Sequence, residues 1–131
     1  MLEFHNQEFE DERGLLQVLE LGPEIPFEVK RIFTISRVPA GRVRGEHAHK
    51  ICQQYLWLVE GSLELEILSS RGVEHLSLNS EKRGKHLPPL HWGKLSNFTA
   101  NTILLVLASE IYAADDYIVD LQEFKRMVNI N

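Results

Sequence analysis

Hydrophobic residues recur along most of this chain in short alternating or continuous runs broken by turn residues, a spacing that predicts β-strands rather than helices. The predicted strands are Leu15 to Leu21, Val29 to Ser36, Val43 to His49, Gln53 to Val59, Leu63 to Leu68, Val73 to Leu78, Lys85 to Leu87 and Thr102 to Ala108. Glu60-Gly61-Ser62 and Ser69-Ser70-Arg71-Gly72 part neighbouring runs at hairpin spacing, which predicts tight turns and a meander. Thr102 to Ala108 is apolar without alternation, the mark of a core strand covered on both faces. Leu21-Gly22-Pro23-Glu24-Ile25-Pro26 and Leu87-Pro88-Pro89 read as loops or edges, because proline has no N–H to give a central ladder. The period changes only near the C-terminus, where Asp120 with Glu123 fits a helix N-cap and capping box and Phe124, Met127 and Val128 follow at helical spacing. The pattern predicts an all-β sandwich or barrel with one short C-terminal helix.

Length and composition narrow the functional classes. The 131 residues fit one domain, 1–131, with a real core, and 44% hydrophobic with 25% charged residues is ordinary globular composition. A net charge of -5 argues against a general nucleic-acid binder and leaves room only for a local anion site. The single cysteine, Cys52, excludes an intramolecular disulfide and a thiolate-rich zinc site. Met1-Leu2-Glu3-Phe4-His5 lacks the basic and apolar regions of a signal peptide, and no segment approaches the ~20 apolar residues of a membrane span, so the expectation is a soluble cytoplasmic protein without a membrane partner.

The chemistry concentrates in Arg44-Gly45-Glu46-His47-Ala48-His49-Lys50. Alternate residues of a strand share a face, so His47 and His49 point into one space. Such a pair can ligate a metal, shuttle a proton, or line a polar pocket inertly. Imidazoles inside a barrel forfeit about 1 to 3 kcal/mol each if they lack partners. Proton transfer next to a carbonyl is one use that explains them, provided the intermediate enolate is stabilised.

The spacing Gly41, His47, His49, Gln54, Gly61 resembles the first signature motif of the cupins, small β-barrels of the double-stranded jelly-roll type. Metal-binding cupins carry a glutamate where this chain has Gln54, and a histidine in a second motif. That motif is matched here by Gly84 through Asn97, with Pro89 and Asn97 in register and Gly93 in the histidine position. With two of the four usual ligands absent, no metal is expected, although His91 would share a face with Gly93 on a strand.

Further stretches are similar to one branch of the cupins. They are Ile25-Pro26-Phe27, Lys30-Arg31-Ile32-Phe33, the His47 segment with Gln54, and Leu104 to Ser109 continuing through Tyr112, Asp116-Tyr117-Ile118 and Glu123-Phe124. Together they resemble the sugar 3,4-ketoisomerases, the FdtA, QdtA and WxcM C-terminal-like group, over nearly the whole chain. The resemblance implies an RmlC-like jelly-roll cupin barrel, a homodimer with exchanged N-terminal strands, and no cofactor. The implied reaction moves the carbonyl of dTDP-4-keto-6-deoxy-D-glucose from C4 to C3 through an enediol or enediolate, ahead of an aminotransferase that makes a 3-amino sugar.

By that resemblance His47 is the base at C3 and His49 its partner in returning a proton at C4, while Gln54, Arg44 and His91 are candidates for holding the developing oxyanion. Arg31, Arg44 and Arg13 are candidates for the diphosphate, since guanidinium suits phosphate oxygens. Asn97 belongs to the second motif, and Tyr55 or Trp92 is a candidate stacking surface for thymine. Two departures stand out: Gly93 removes a side chain expected to face the sugar, and Tyr117-Ile118-Val119-Asp120-Leu121 replaces a Tyr-Ile-Arg-x-Tyr pattern. The competing readings are a non-catalytic nucleotide-sugar-binding cupin and a metal-dependent cupin enzyme.

Overall fold

The computed structural model describes residues 7–131; Met1 to His5, read above for targeting, lie outside the described residues. Strands β3 (Arg31–Ser36), β10 (Ile103–Ala108), β5 (Gln54–Glu60) and β8 (Gly84–Leu87) form one antiparallel sheet in the order β3-β10-β5-β8. Strands β11 (Tyr117–Ile118), β4 (Arg44–His49), β9 (Trp92–Ser96), β6 (Leu63–Ser69) and β7 (Gly72–Leu78) form the second, in the order β11-β4-β9-β6-β7. A separate hairpin joins β1 (Gln7–Asp11) to β2 (Gly14–Val18). One-turn helix α1 (Leu21–Glu24), a 3-10 turn at Ala114–Asp116 and C-terminal helix α2 (Leu121–Met127) complete the described elements. This is the mostly-β barrel that the hydrophobic pattern predicts.

Period-two alternation decides what each sheet buries. Leu56 and Leu58 of β5, Leu104 and Val106 of β10, and Leu63, Leu65 and Ile67 of β6 meet between the sheets with Leu78, Leu87 and Leu95. The opposite faces of β5 and β10 present Tyr55, Trp57 and Leu107, which pack with Ile25 under Leu19, Phe27 and Val29. The continuous apolar run of β10 is thereby explained, since that strand lies between two neighbours and is covered on both faces. Helix α2 begins where predicted, with the Asp120 carboxylate accepting from the Gln122 and Glu123 N–H groups. It packs the fully buried Phe124 against Trp92, Ala48 and Ile118 on the outside of the second sheet.

Three features differ from the pattern. Ser69 and Gly72 close the predicted β6–β7 hairpin, but Glu60-Gly61-Ser62 carries the chain from one sheet to the other, so β5 and β6 do not pair. Gly61 permits that crossing: its φ is +86°, and a Cβ would lie 2.4 Å from Thr102 Oγ1. Strands β1, β9 and β11 lie outside the predicted set, because Gln7–Asp11 has one apolar residue, Gly93 and Lys94 interrupt the pattern of β9, and β11 has two residues. The predicted strand from Leu15 ends at Val18, and Leu21 instead opens α1.

Candidate functional site

The histidine pocket is built around an irregularity in β4. Its ladder with β9 slips between Gly45 and His47, where Gly45 and Glu46 adopt φ values of +85° and +58°. A Cβ on Gly45 would lie 2.8 Å from the Gly93 carbonyl oxygen, so glycine is what allows the two strands to approach here. Beyond the bulge His47 sits opposite Gly93 of β9, and His49 sits opposite Tyr117 of β11. The two imidazoles meet edge to face with centroids 5.0 Å apart, and Tyr117 packs on both, at 5.1 Å from His47 and 4.3 Å from His49.

His49 is held from two sides. Its Nδ1 lies 3.0 Å from Asp116 Oδ2, and its Nε2 lies 3.3 Å from the Gln54 side-chain nitrogen on the opposite sheet. An ionised carboxylate only accepts and an amide NH2 only donates, so these partners select the neutral ring that donates from Nδ1 and accepts at Nε2. Burial is the main reason the His49 pKa falls below its ordinary value; Asp116 opposes the shift, and the charges of His47 and Arg31 add to it. For Asp116, burial pushes the pKa up, but the N–H groups of Ile51 and Cys52 and the His49 ring outweigh it and hold the carboxyl below the ordinary value. The result is a neutral imidazole beside a fixed carboxylate.

Arg31, at the start of β3, faces the same region: its guanidinium stacks on Phe33 at 5.3 Å and on Tyr112 at 5.8 Å. Its Nε is buried with no hydrogen-bond partner among the described residues. Arg44 is exposed and lines a 430 Å³ cavity with Arg37 and Arg42, between the end of β3 and the start of β4. That lining contains no carboxylate, so three cations stand around one hollow in an otherwise acidic chain.

The remaining sequence-predicted residues are not gathered with the histidines. Tyr55 alternates with Gln54 onto the outer face, where it is fully buried, and burial and then Glu24 push its phenol up to about 12. Trp92 likewise faces outward, against Phe124. His91 turns back to the Pro89 carbonyl at 2.9 Å and influences His86, whose pKa is lowered first by burial and then by the charges of His91 and Lys85. Asn97 occupies an exposed turn at φ +53°, past the end of β9 that lies away from His47. Arg13 is exposed at the tip of the β1–β2 hairpin and pairs with Asp11 at 2.6 Å. Asp116 and Tyr117 received no role from the sequence, because nothing local marks an aspartate 67 residues from the histidine it orients.

Two facing antiparallel sheets with a pair of histidines between them define a cupin-type barrel with a histidine-lined pocket. The family model described as WxcM-like, C-terminal (FdtA) matches residues 1–129, and the chain belongs to that family. A TDP-4-oxo-6-deoxy-alpha-D-glucose-3,4-oxoisomerase from Aneurinibacillus thermoaerophilus is 31% identical over 118 residues, covering 90% of this chain and 85% of the relative. A 3,4-ketoisomerase from Helicobacter canadensis superposes with a TM-score of 0.85 at 40% identity, over 95% of this chain and 93% of that one. A histidine-to-asparagine mutant of the 3,4-ketoisomerase QdtA from Thermoanaerobacterium thermosaccharolyticum, in complex with TDP-4-keto-6-deoxyglucose, superposes with a TM-score of 0.88 at 30% identity, over 96% of this chain and 91% of that one.

Proposed function

We propose that this chain is a sugar-nucleotide 3,4-ketoisomerase that moves the carbonyl of dTDP-4-keto-6-deoxy-D-glucose from C4 to C3. The observation that carries the reading is the edge-to-face pair of His47 and His49, set across 5.0 Å with His49 oriented by Asp116 and Gln54. Two imidazoles so placed can address adjacent carbons of one hexose ring. His47 takes the C3 proton, giving an enediolate with its charge on O4; the O3 hydroxyl passes its proton to His49 Nε2, O4 takes the proton held by His47, and His49 delivers its proton to C4 as the carbonyl forms at C3. Gln54 supplies an N–H to the developing oxyanion, and Asp116 holds the His49 ring in place.

Arg31 and the cavity of Arg37, Arg42 and Arg44 support a diphosphate subsite. Arg44 and His47 flank the β4 bulge, so the cavity of the arginines and the histidine pocket are reached from the same strand. In this reading the chemistry is metal-independent, supported by the amide of Gln54 in the place of a carboxylate ligand and by Gly93 in that of a histidine.

The working form is a homodimer of one-domain chains, residues 1–131, that exchange their N-terminal strands. Support comes from the separate β1–β2 sheet with exposed Phe9 and Leu16, and from β3, whose outer edge no described strand covers. Within one chain the hairpin is tethered by the Glu8–Arg83 ion pair and by Gln17, which donates to the Val59 carbonyl at 3.1 Å. A cytoplasmic location completes the reading, supported by the free buried Cys52; no helix of the described residues is long and apolar enough to cross a membrane.

The test is to incubate the protein with this substrate in heavy water. Deuterium entry at the carbon next to the carbonyl, with formation of the 3-keto isomer, is expected. Binding of dTDP without exchange would select the non-catalytic binding module instead.

A further inference from the structure

On the side of His49 turned away from Gln54, a third donor joins the His49–Asp116 pair. Cys52 Sγ, a His49 ring nitrogen and an Asp116 carboxylate oxygen all lie within 4.8 Å of one another. The nitrogen facing Asp116 is Nδ1, at 3.0 Å. We propose that these three groups bind Zn2+ or a similar borderline-soft divalent cation, and that its binding switches the histidine pocket off.

The donor set suits such an ion. Imidazole, thiolate and carboxylate are all zinc ligands, and the thiolate and carboxylate together neutralise two positive charges in a largely buried site. The ligands are already supported. Asp116 accepts from the Ile51 N–H at 2.7 Å and the Cys52 N–H at 3.3 Å, while the Lys50 N–H binds the Asp116 main-chain oxygen at 2.9 Å. The Asp116 side chain is 11% exposed and Ile51 beside it is 68% exposed, which gives an ion a route from solvent. This cluster lies on the Nδ1 side of the ring, whereas the cupin metal position implied by sequence would use the side facing Gln54.

Inhibition follows from proton accounting. Binding takes the thiol proton from Cys52 and releases it to solvent, so one proton leaves per ion. The neutral His49 ring must vacate Nδ1 for the metal, and its single proton then resides on Nε2. That nitrogen becomes a donor and cannot accept a proton in the pocket. Gln54 must also rotate its amide to offer oxygen in place of nitrogen.

Co2+ added to the chelator-treated wild-type protein provides the test. A thiolate-to-Co2+ charge-transfer band saturating at one equivalent is expected, absent in Cys52→Ser, with Zn2+ affinity at least about tenfold weaker in that variant. Cys52→Ser should keep the metal-free exchange rate within about twofold of wild type and resist Zn2+ levels that inhibit wild type reversibly with chelator. Cys52→Ala repeats the comparison should the serine variant fold poorly. Absence of the band, unchanged Zn2+ affinity in both variants, or full exchange activity in the zinc-loaded wild type overturns the proposal. The inhibitory half rests on the isomerase reading; a Co2+–thiolate band in a protein that exchanges no deuterium from any zinc-free preparation retains the metal site and removes that reading.

Discussion

His49 Nδ1 lies 3.0 Å from Asp116 Oδ2, a contact that ties the barrel wall to the turn before β11 across 67 residues of sequence. Because Asp116 is itself fixed by main-chain N–H groups, it sets the ring's tautomer as well as its position. Asp116→Asn replaces an acceptor with a group that can turn either end to the imidazole. The expected result is a fall in kcat of about 10- to 100-fold with KM changed little, since the substrate-facing nitrogen remains but its protonation is no longer dictated. Chemical denaturation should show a loss of about 1 to 3 kcal/mol from the disturbed N–H acceptors. Equal loss of kcat in Asp116→Asn and Asp116→Ala, with no change in the pH profile of either, would indicate a purely structural role.

His47→Asn should lower isomerisation and deuterium exchange by about 10²- to 10⁴-fold, the usual contribution of a positioned acid or base. Binding of dTDP should stay within about threefold, because the pocket keeps its shape and its arginines. Stopped-assay product analysis with calorimetric titration separates the two effects. Wild-type turnover in this variant would remove His47 from the base role.

Arg31→Met tests the half-buried guanidinium with its buried Nε. A lost charge-assisted hydrogen bond is worth about 1.5 to 3 kcal/mol, so dTDP affinity should fall by roughly 10- to 150-fold, with a shallower dependence on salt. Calorimetry at two ionic strengths checks this. An unchanged Kd would show that the phosphates do not reach Arg31.

His49 and His86 both have pKa values below that of the free imidazole, in each case chiefly because burial disfavours the cation. The unfolded chain therefore takes up protons first as pH falls through about 6.5, and stability drops from there until the folded-state values are passed. Unfolding in urea at pH 7.5 and 5.5 should give the lower midpoint at pH 5.5. The pH 5.5 deficit should shrink in His86→Gln, which removes one of the two titrations.

Helix α2 anchors the second sheet through the fully buried Phe124, whose ring lies 5.6 Å from Trp92 and which clusters with Ala48 and Ile118, neighbours of His49 and Tyr117. Phe124→Ala should cost about 3 to 5 kcal/mol in urea unfolding, from lost burial and the cavity left behind. It should also depress kcat more than a surface substitution does, because Ile118 pairs with Ala48 between the two histidines. Comparison with Met127→Ala, at an exposed position of the same helix, provides the control.

Much of the architecture was legible because period and punctuation act locally. Alternation placed β3 to β8 within a residue or two, and the unbroken apolar run of β10 announced a strand covered on both faces. Asp120 placed the start of α2 through its own side chain. The His47–His49 pair was readable for the same reason, since two residues along a strand return to one face. Local rules could not show that Glu60-Gly61-Ser62 switches sheets or that the polar segment Gln7–Asp11 forms a strand; alternation sets Tyr55 on the face opposite Gln54, but only packing shows that Ile25, Leu19, Phe27 and Val29 cover it there.

The sequence by itself determined a β-barrel class, a shared face for His47 and His49, and an arginine-rich N-terminal third, because strand periodicity and residue chemistry are properties of short segments. Tertiary structure alone decided which groups meet those histidines. Gln54 belongs to the same motif, but Asp116 and Tyr117 converge on His49 from a turn and an edge strand far along the chain, and such convergence depends on packing between distant segments that no local pattern encodes.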